Sequence, residues 1–311
     1  MHVIRHVHDL PPVARGGAVA IGNFDGVHLG HARIVSRLLE RAKEVGGPAV
    51  VFTFDPHPAR LLRPKTCPPP LTWTERKAEL LADLGIDWVV AYPTDHALLS
   101  LSPREFFDRV IREVLAARAI VEGPNFYFGK DRGGNVEKLG ELAAESRLTL
   151  DVVTPLEVDG ELISSSRVRE AVRLGQVGNA RRWLTAPYRI RGLVTHGAGR
   201  GTKLGFPTAN LDGVDTLLPA LGVYAGVASI GNRRWPAAIH LGPNPTFGER
   251  ATKVEVHLIS AEETIYGQIL EVEFLERLRD VQSFDEADKL TTQLREDVNS
   301  AERIGNEYMR C

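Results

Sequence analysis

The chain has 311 residues, 43% of them hydrophobic, enough apolar material for one large core or two ordinary ones, and usual domain sizes favour two. With 38 basic and 40 acidic residues the net charge is −2, which gives no bulk pull towards a polyanion and argues against nucleic acid as a partner. The cysteines, Cys67 and Cys311, support neither a disulfide framework nor a thiolate metal site, and no stretch has the apolar length of a signal core or a membrane span, so a cytoplasmic protein without a membrane partner is expected.

The first half alternates short apolar runs with segments of helical period. Runs at 18–21, 49–54, 88–91, 119–121 and 150–153 read as strands. Between them Ile34, Val35, Leu38, Leu39 and Ala42, then Leu80, Leu81 and Leu84, then Phe106, Phe107, Val110, Ile111 and Val114 recur at spacings of three and four, which predicts amphipathic helices. The alternation implies a parallel, doubly wound α/β sheet of Rossmann-like type, with ligands beyond the C-terminal strand ends. After about Trp183 the sequence becomes rich in Gly and Pro, with β-prone runs at 189–195, 223–230, 237–241, 254–259 and 269–274, the pattern of a small antiparallel β-barrel. A last helix is expected over 285–301, packing Ala287, Leu290, Leu294 and Val298 against the barrel. Pro187 interrupts the helical pattern, so the domains are expected to be 1–186 and 187–311.

The first strand leads into Gly22, Asn23, Phe24, Asp25 and Gly26, then His28, Leu29, Gly30 and His31. A helix starting there offers unpaired N–H groups and a positive dipole end to phosphate, and the glycines allow close backbone approach. Two imidazoles three apart can donate to phosphate oxygens as charge builds. On spacing alone, a solvated helix start with two incidental histidines stands level with that reading. Zinc is weaker, because there is no HExxH pattern and no third ligand nearby.

The string His28-Leu29-Gly30-His31 after a first strand resembles the HxGH signature of the nucleotidyltransferase superfamily, and residues 163–169 resemble its ISSTxxR element, in the expected order. The resemblance implies that residues 22–31 bind ATP with His28 and His31 as catalytic groups, and that Ser164, Ser165, Ser166 and Arg167 hold the β- and γ-phosphates. Alone, that serine run reads as a helix cap. The runs 54–58 and 123–129 are similar to those of the bacterial bifunctional riboflavin kinase/FMN adenylyltransferase family, which makes His57, Asn125, Phe126 and Phe128 flavin-site candidates. Each could equally fix a turn. Many members carry Asp where this chain has Asn125, a change that removes one negative charge and keeps hydrogen-bonding capacity.

In the second half the glycine run 197–205 fits neither the dinucleotide fingerprint, since Gly205 and Pro207 follow too closely for a helix to open, nor the Walker spacing. It leaves a loop through Gly199, Gly201, Lys203, Gly205 and Pro207 that can wrap phosphates, then Thr208 and Asn210, whose oxygens could hold Mg2+. A plain Gly-rich hairpin is the other reading. Residues 204–211 resemble the riboflavin kinase signature, and the family's landmarks follow in order at 222–225, 244–248 and 254–258. The resemblance implies that Glu255 accepts the proton of the primary hydroxyl of riboflavin's ribityl chain. Its alternation with Val254 and Val256 points it to the opposite strand face, towards ligand or solvent. Asn244 replaces a basic residue common in relatives, and Arg277 and Arg279 look like an element lining the flavin or nucleotide.

Together the resemblances imply phosphorylation of riboflavin to FMN by the C-terminal domain and adenylylation of FMN to FAD by the N-terminal one, with ATP as co-substrate, Mg2+ as cofactor and no covalent enzyme intermediate. An adenylyltransferase acting on another phosphorylated acceptor, such as a pyridine mononucleotide, is disfavoured by the kinase signature. A flavin-binding regulator is disfavoured by the intact motifs at 28–31 and 163–169.

Overall fold

The computed structural model describes all residues except 198, 244–245, 247–250, 262–263 and 311, and at Arg200 and Lys203 the backbone alone. The chain packs as two compact units. One comprises Met1–Pro68 and Trp73–Ser164, the other Pro69–Thr72 and the residues from Ser165 on.

The first unit is built on six strands, β1 (His2–Ile4), β2 (Ala18–Ile21), β3 (Ala49–Asp55), β4 (Trp88–Pro93), β5 (Ala119–Glu122) and β6 (Thr149–Val152). They pair in parallel in the order β1-β4-β3-β2-β5-β6, so the expected doubly wound sheet is present and its order reverses at β2. β2 and β5 are buried throughout, which explains their unbroken apolar character. Helix Leu29–Val45 buries Val35, Leu38 and Ala42 and ends at Gly46, whose φ of 64° is the left-handed cap conformation that glycine favours. The segment Phe107–Val114 is π-helical where α-helix is predicted, yet the wider turn still buries Phe107, Val110 and Ile111. β1 escapes the sequence reading because three residues show no period; it is an edge strand whose His2 stacks on Trp88 at 4.4 Å. At the other edge, the Asp151 carboxylate of β6 is held by both Arg37 and Arg41. A two-stranded hairpin, β7 (Glu157–Val158) and β8 (Glu161–Leu162), follows.

In the second unit β9 (Tyr188–Thr195), β10 (Ala209–Asp212), β11 (Gly222–Ile230), β12 (Arg233–Gly242), β13 (Lys253–Leu258) and β14 (Ile269–Arg279) close into an antiparallel barrel in the order β10-β13-β12-β11-β14-β9. β10 closes it by pairing with both β13 and β9, and its short run Ala-Asn-Leu-Asp carries too little apolar signal to be read in advance. β14 extends past the predicted 269–274 and so carries Arg277 and Arg279. The terminal helix, Ala287–Arg310, runs beyond its predicted end and packs closely enough that a Cβ on Gly305 would lie 2.8 Å from the Pro236 side chain. Helices Ser165–Arg173 and Val177–Trp183 also belong to this unit.

Beyond the last paired residues of β2 and β5, Val19 and Ile120, a side chain continues the ladder: Ile21 N–H donates to the buried Glu122 carboxyl at 2.6 Å. Burial raises the Glu122 pKa well above its ordinary 4.5, partly opposed by the Ile21 bond. A carboxyl that holds its proton more tightly folded than unfolded makes stability fall as pH rises through and above the unfolded value. Glu122→Gln keeps an acceptor for Ile21 and is expected to flatten the decline of the unfolding midpoint between about pH 5 and 8. An unchanged slope in thermal melts across that range would contradict this assignment.

Candidate active sites

The order reversal at β2 opens a crevice at the C-terminal strand ends, where the chain segments after β2, β3 and β5 emerge. After β2 the backbone turns sharply: Phe24 (φ 45°), Gly26 (83°) and Val27 (40°) are all left-handed, a costly conformation for a β-branched valine. Phe24, Asp25, Val27 and His28 are buried. His28 is the N-cap of helix Leu29–Val45, its Nδ1 accepting the His31 N–H at 3.3 Å. A Cβ on Gly30 would sit 3.0 Å from that Nδ1, so the glycine keeps room for the capping imidazole. The two histidine rings stack at 3.7 Å with an 18° tilt, and Phe24 lies 5.0 Å from the His31 ring. Burial, then the proximity of His28 and Lys77, hold the His31 pKa well below 6.5, so His31 is neutral at pH 7. Its Nδ1 and the Asn23 Oδ1 are buried with no hydrogen-bond partner, an arrangement ready for a polar ligand.

The other candidates of this unit divide. His57 caps helix Pro58–Leu62, its Nδ1 accepting the Ala59 N–H at 3.0 Å. Phe126 and Phe128 stack at 5.5 Å, Phe128 buried in the core cluster and Phe126 packed against it, while Asn125 is exposed. Ser164 ends the first unit, and Ser165, Ser166 and Arg167 open helix Ser165–Arg173 of the second, where the Arg167 guanidinium lies over the Trp183 ring at 5.1 Å. Sequence reasoning missed Lys77, which is buried and donates to Thr53 Oγ1 at 3.1 Å. The signal was present, since Lys77 stands three and four residues before Leu80 and Leu81 on the apolar face of its helix.

A cavity of about 150 Å3 is lined by one face of the barrel, the glycine loop and the terminal helix. Antiparallel register sets Asn210 of β10 and His240 of β12 on either side of Glu255 on β13, so the three side chains stand abreast on one sheet face, with Thr208 just before β10 on the same cavity wall. Val254 and Val256 point the other way and are buried, which places Glu255 towards the cavity. His240 donates from Nε2 to the Pro243 carbonyl at 3.2 Å; burial lowers its pKa and Glu255 opposes the shift. The expected glycine loop forms part of the wall through Gly199 and Gly201, and a Cβ at Gly201 would lie 2.3 Å from the Phe206 carbonyl, so only glycine closes this turn. Gly205 (φ 85°) and Pro207 lie beside it, and His257 Nδ1 ties the Pro207 carbonyl to β13 at 2.7 Å. The Lys203 side chain lies outside the described residues, as do Asn244, Pro245, Phe247 and Gly248 of the 244–248 landmark; Thr246 lines the cavity.

Leu290, Leu294 and Val298 of the terminal helix, with Phe284, add apolar lining to the cavity. Arg279 lines the cavity but is committed to Asp297, with Nε at 3.0 and 3.1 Å and one terminal nitrogen at 2.7 Å from its carboxylate. Arg277 is not among the lining residues and bonds the Leu221 carbonyl and Asp280, each at 2.7 Å. His240, His257 and Asp297 were missed in the sequence because nothing local marks a side chain whose partner lies on another strand or helix. Among the described residues no group of three His, Cys, Asp or Glu could hold a metal, but Thr208 and Asn210 are hard oxygen donors on one wall beside Glu255, a pair that suits Mg2+ completed by water and phosphate.

A family model described as FAD synthetase matches residues 10–167, and one described as riboflavin kinase matches residues 184–305. A bifunctional riboflavin kinase/FMN adenylyltransferase from Pseudomonas fluorescens is 36% identical over 305 residues, 98% of either chain. Its Escherichia coli K12 counterpart is 31% identical over 308 residues, again 98% of each. A crystal structure titled as a macrolide-efflux protein from Streptococcus pneumoniae superposes with a TM-score of 0.85 at 30% identity, covering 97% of this chain and 98% of that one. In this chain no helix among the described residues is long and apolar enough to cross a membrane.

The Arg279–Asp297 pair fastens the terminal helix to the barrel at the cavity wall, with Asp297 only 5% exposed. Asp297→Ala leaves a largely buried guanidinium without its carboxylate and is expected to cost about 3 kcal/mol. Urea unfolding measures this, and a midpoint equal to that of the unaltered protein would mean the helix does not depend on the pair.

Proposed function

The chain belongs to the bifunctional riboflavin kinase/FMN adenylyltransferase family, and on that premise we propose how its residues divide the two reactions. It phosphorylates riboflavin to FMN and adenylylates FMN to FAD, both at the expense of ATP. The functional division falls at 186/187, just before β9 opens the barrel at Tyr188. The protein works in the cytoplasm.

The observation that carries the kinase assignment is Glu255 standing between Asn210 and His240 on the wall of a cavity that Leu290, Leu294 and Val298 also line. A polar row together with apolar lining suits a flat aromatic ring system that bears a hydroxylated chain. Glu255 orients the primary ribityl hydroxyl and accepts its proton as oxygen attacks the γ-phosphorus of ATP and ADP leaves. The N–H groups of the loop at Gly199 and Gly201 receive phosphate oxygens. Mg2+ would be held by Thr208 and Asn210 and would supply charge neutralisation of the phosphates. Arg279 supports this wall through Asp297, and Arg277 acts on the same strand from outside the cavity.

In the first unit the FMN phosphate attacks the α-phosphorus of ATP and pyrophosphate departs. His28 caps its helix through Nδ1, which puts its ring donor at Nε2, and His31 is held neutral beside it. The two imidazoles then offer N–H donors to the oxygens that gain charge, together with the helix N–H groups. Ser164, Ser165, Ser166 and Arg167 bind the pyrophosphate portion, and the Phe126 and Phe128 stack with His57 and Asn125 contributes to the flavin side.

Incubation with riboflavin, ATP and Mg2+, followed by chromatography, is expected to show FMN first and FAD after it. His28→Ala should lower FAD formation by about 100- to 1,000-fold and leave FMN formation intact. Glu255→Ala should lower FMN formation from riboflavin by about 100-fold or more while FAD formation from supplied FMN continues. Equal loss of both activities in either folded variant would contradict the division.

A further inference from the structure

Lys77 lies behind the loop that follows β2, on a helix outside every motif recognised in the sequence. Its ammonium donates to Thr53 Oγ1 at 3.1 Å, and the fully buried Thr53 hydroxyl donates to the Asn23 carbonyl at 3.2 Å. This chain of bonds runs from helix Thr74–Asp83 through β3 to the loop in which Phe24 and Val27 are held left-handed. Such backbone persists only where its surroundings over-determine it.

A buried ammonium is costly, and this one is weakly compensated. It has three N–H donors. Among the described residues it makes one hydrogen bond, to a neutral hydroxyl, and no ion pair, with Asp25 and Asp55 attracting it from further off. Its charge, after burial and His28, also helps keep His31 neutral. Two polar atoms of the same segment, Asn23 Oδ1 and His31 Nδ1, are buried without hydrogen-bond partners. A buried ammonium with no ion pair among the described residues and a strained loop tied to it, beside a helix N-terminus, together suit an anion that arrives only during turnover.

We propose that Lys77 is a positioning residue for adenylyl transfer: through Thr53 it holds residues 22–27 in their strained conformation, and its charge adds to the potential that the reacting phosphates meet. The inference rests on the adenylyltransferase reading of the first unit. A purely structural lysine would cost stability when replaced and leave the turnover of folded protein alone.

The test compares the unaltered protein, Lys77→Met, Thr53→Val and Thr53→Ser in FAD formation from FMN, ATP and Mg2+, each checked by thermal unfolding. Lys77→Met is expected to lower kcat about 100-fold with KM for ATP changed by less than about 3-fold, because the loss falls on positioning and on charge developing in the transition state. Thr53→Val, which keeps the shape and removes the hydroxyl, should lower kcat about 10-fold, while Thr53→Ser stays near the unaltered protein. A folded Lys77→Met with unaltered kcat overturns the proposal. Should that variant fail to fold, Thr53→Val decides it, and an unaltered kcat there overturns it equally. Failure of the unaltered protein to make FAD from FMN would instead refute the adenylyltransferase reading, which keeps the two failures distinct.

Discussion

A parallel strand covered on both faces has little room for polar side chains along its length, so most of its chemistry lies at or past its end. β2, β3 and β5 meet this constraint with runs of Ala, Val, Ile and Phe, broken by the hydrogen-bonded Thr53 and, at the strand ends, by Asp55 and Glu122, and the other polar groups gather in the segments that follow. The strand order then decides which end matters, because the sheet reverses direction at β2 and leaves a crevice there. Helix Leu29–Val45 starts at that point with N–H groups that no helical carbonyl can satisfy. The capping histidine, the glycine that gives it room and the stacked second histidine are all answers to the same unsatisfied helix start.

The barrel works under the opposite rule. An antiparallel strand alternates between its two faces, so a polar residue can sit in mid-strand if that face looks into a cavity. Glu255 does so between two buried valines, and the register of β10 and β12 brings it the neighbours that no spacing in the sequence could reveal. The terminal helix supplies apolar lining of the cavity and one carboxylate, Asp297, that occupies Arg279. One helix therefore both shapes the cavity and anchors itself to the wall.

Features that depend on neighbours in sequence were legible, and those that depend on neighbours in space were not. The apolar runs of β2 to β6 carried their own signal, whereas β1 and β10 were too short to show a period and owe their existence to the strands they pair with. The helix start at His28 was visible because cap, glycine and second histidine lie within four residues. The π-helical turn of Phe107–Val114 was hidden because its apolar spacing of three and four is also that of an α-helix. His240 and Asp297 look like ordinary polar residues until folding places them beside Glu255 and Arg279. Lys77 broke an apolar helical face because folding gives it Thr53 of β3, which in turn holds the Asn23 carbonyl of the loop after β2.

The strand edges bear on how the protein behaves when concentrated. A closed barrel exposes no unpaired edge, and the parallel sheet ends in a three-residue strand on one side and, on the other, in β6, where a carboxylate gripped by two arginines guards the border. A foreign strand that approached would find either too few backbone groups to pair with or an ion cluster to desolvate. The barrel and the six-stranded sheet are thus poor templates for strand addition, which limits how readily copies of this chain can pair through them.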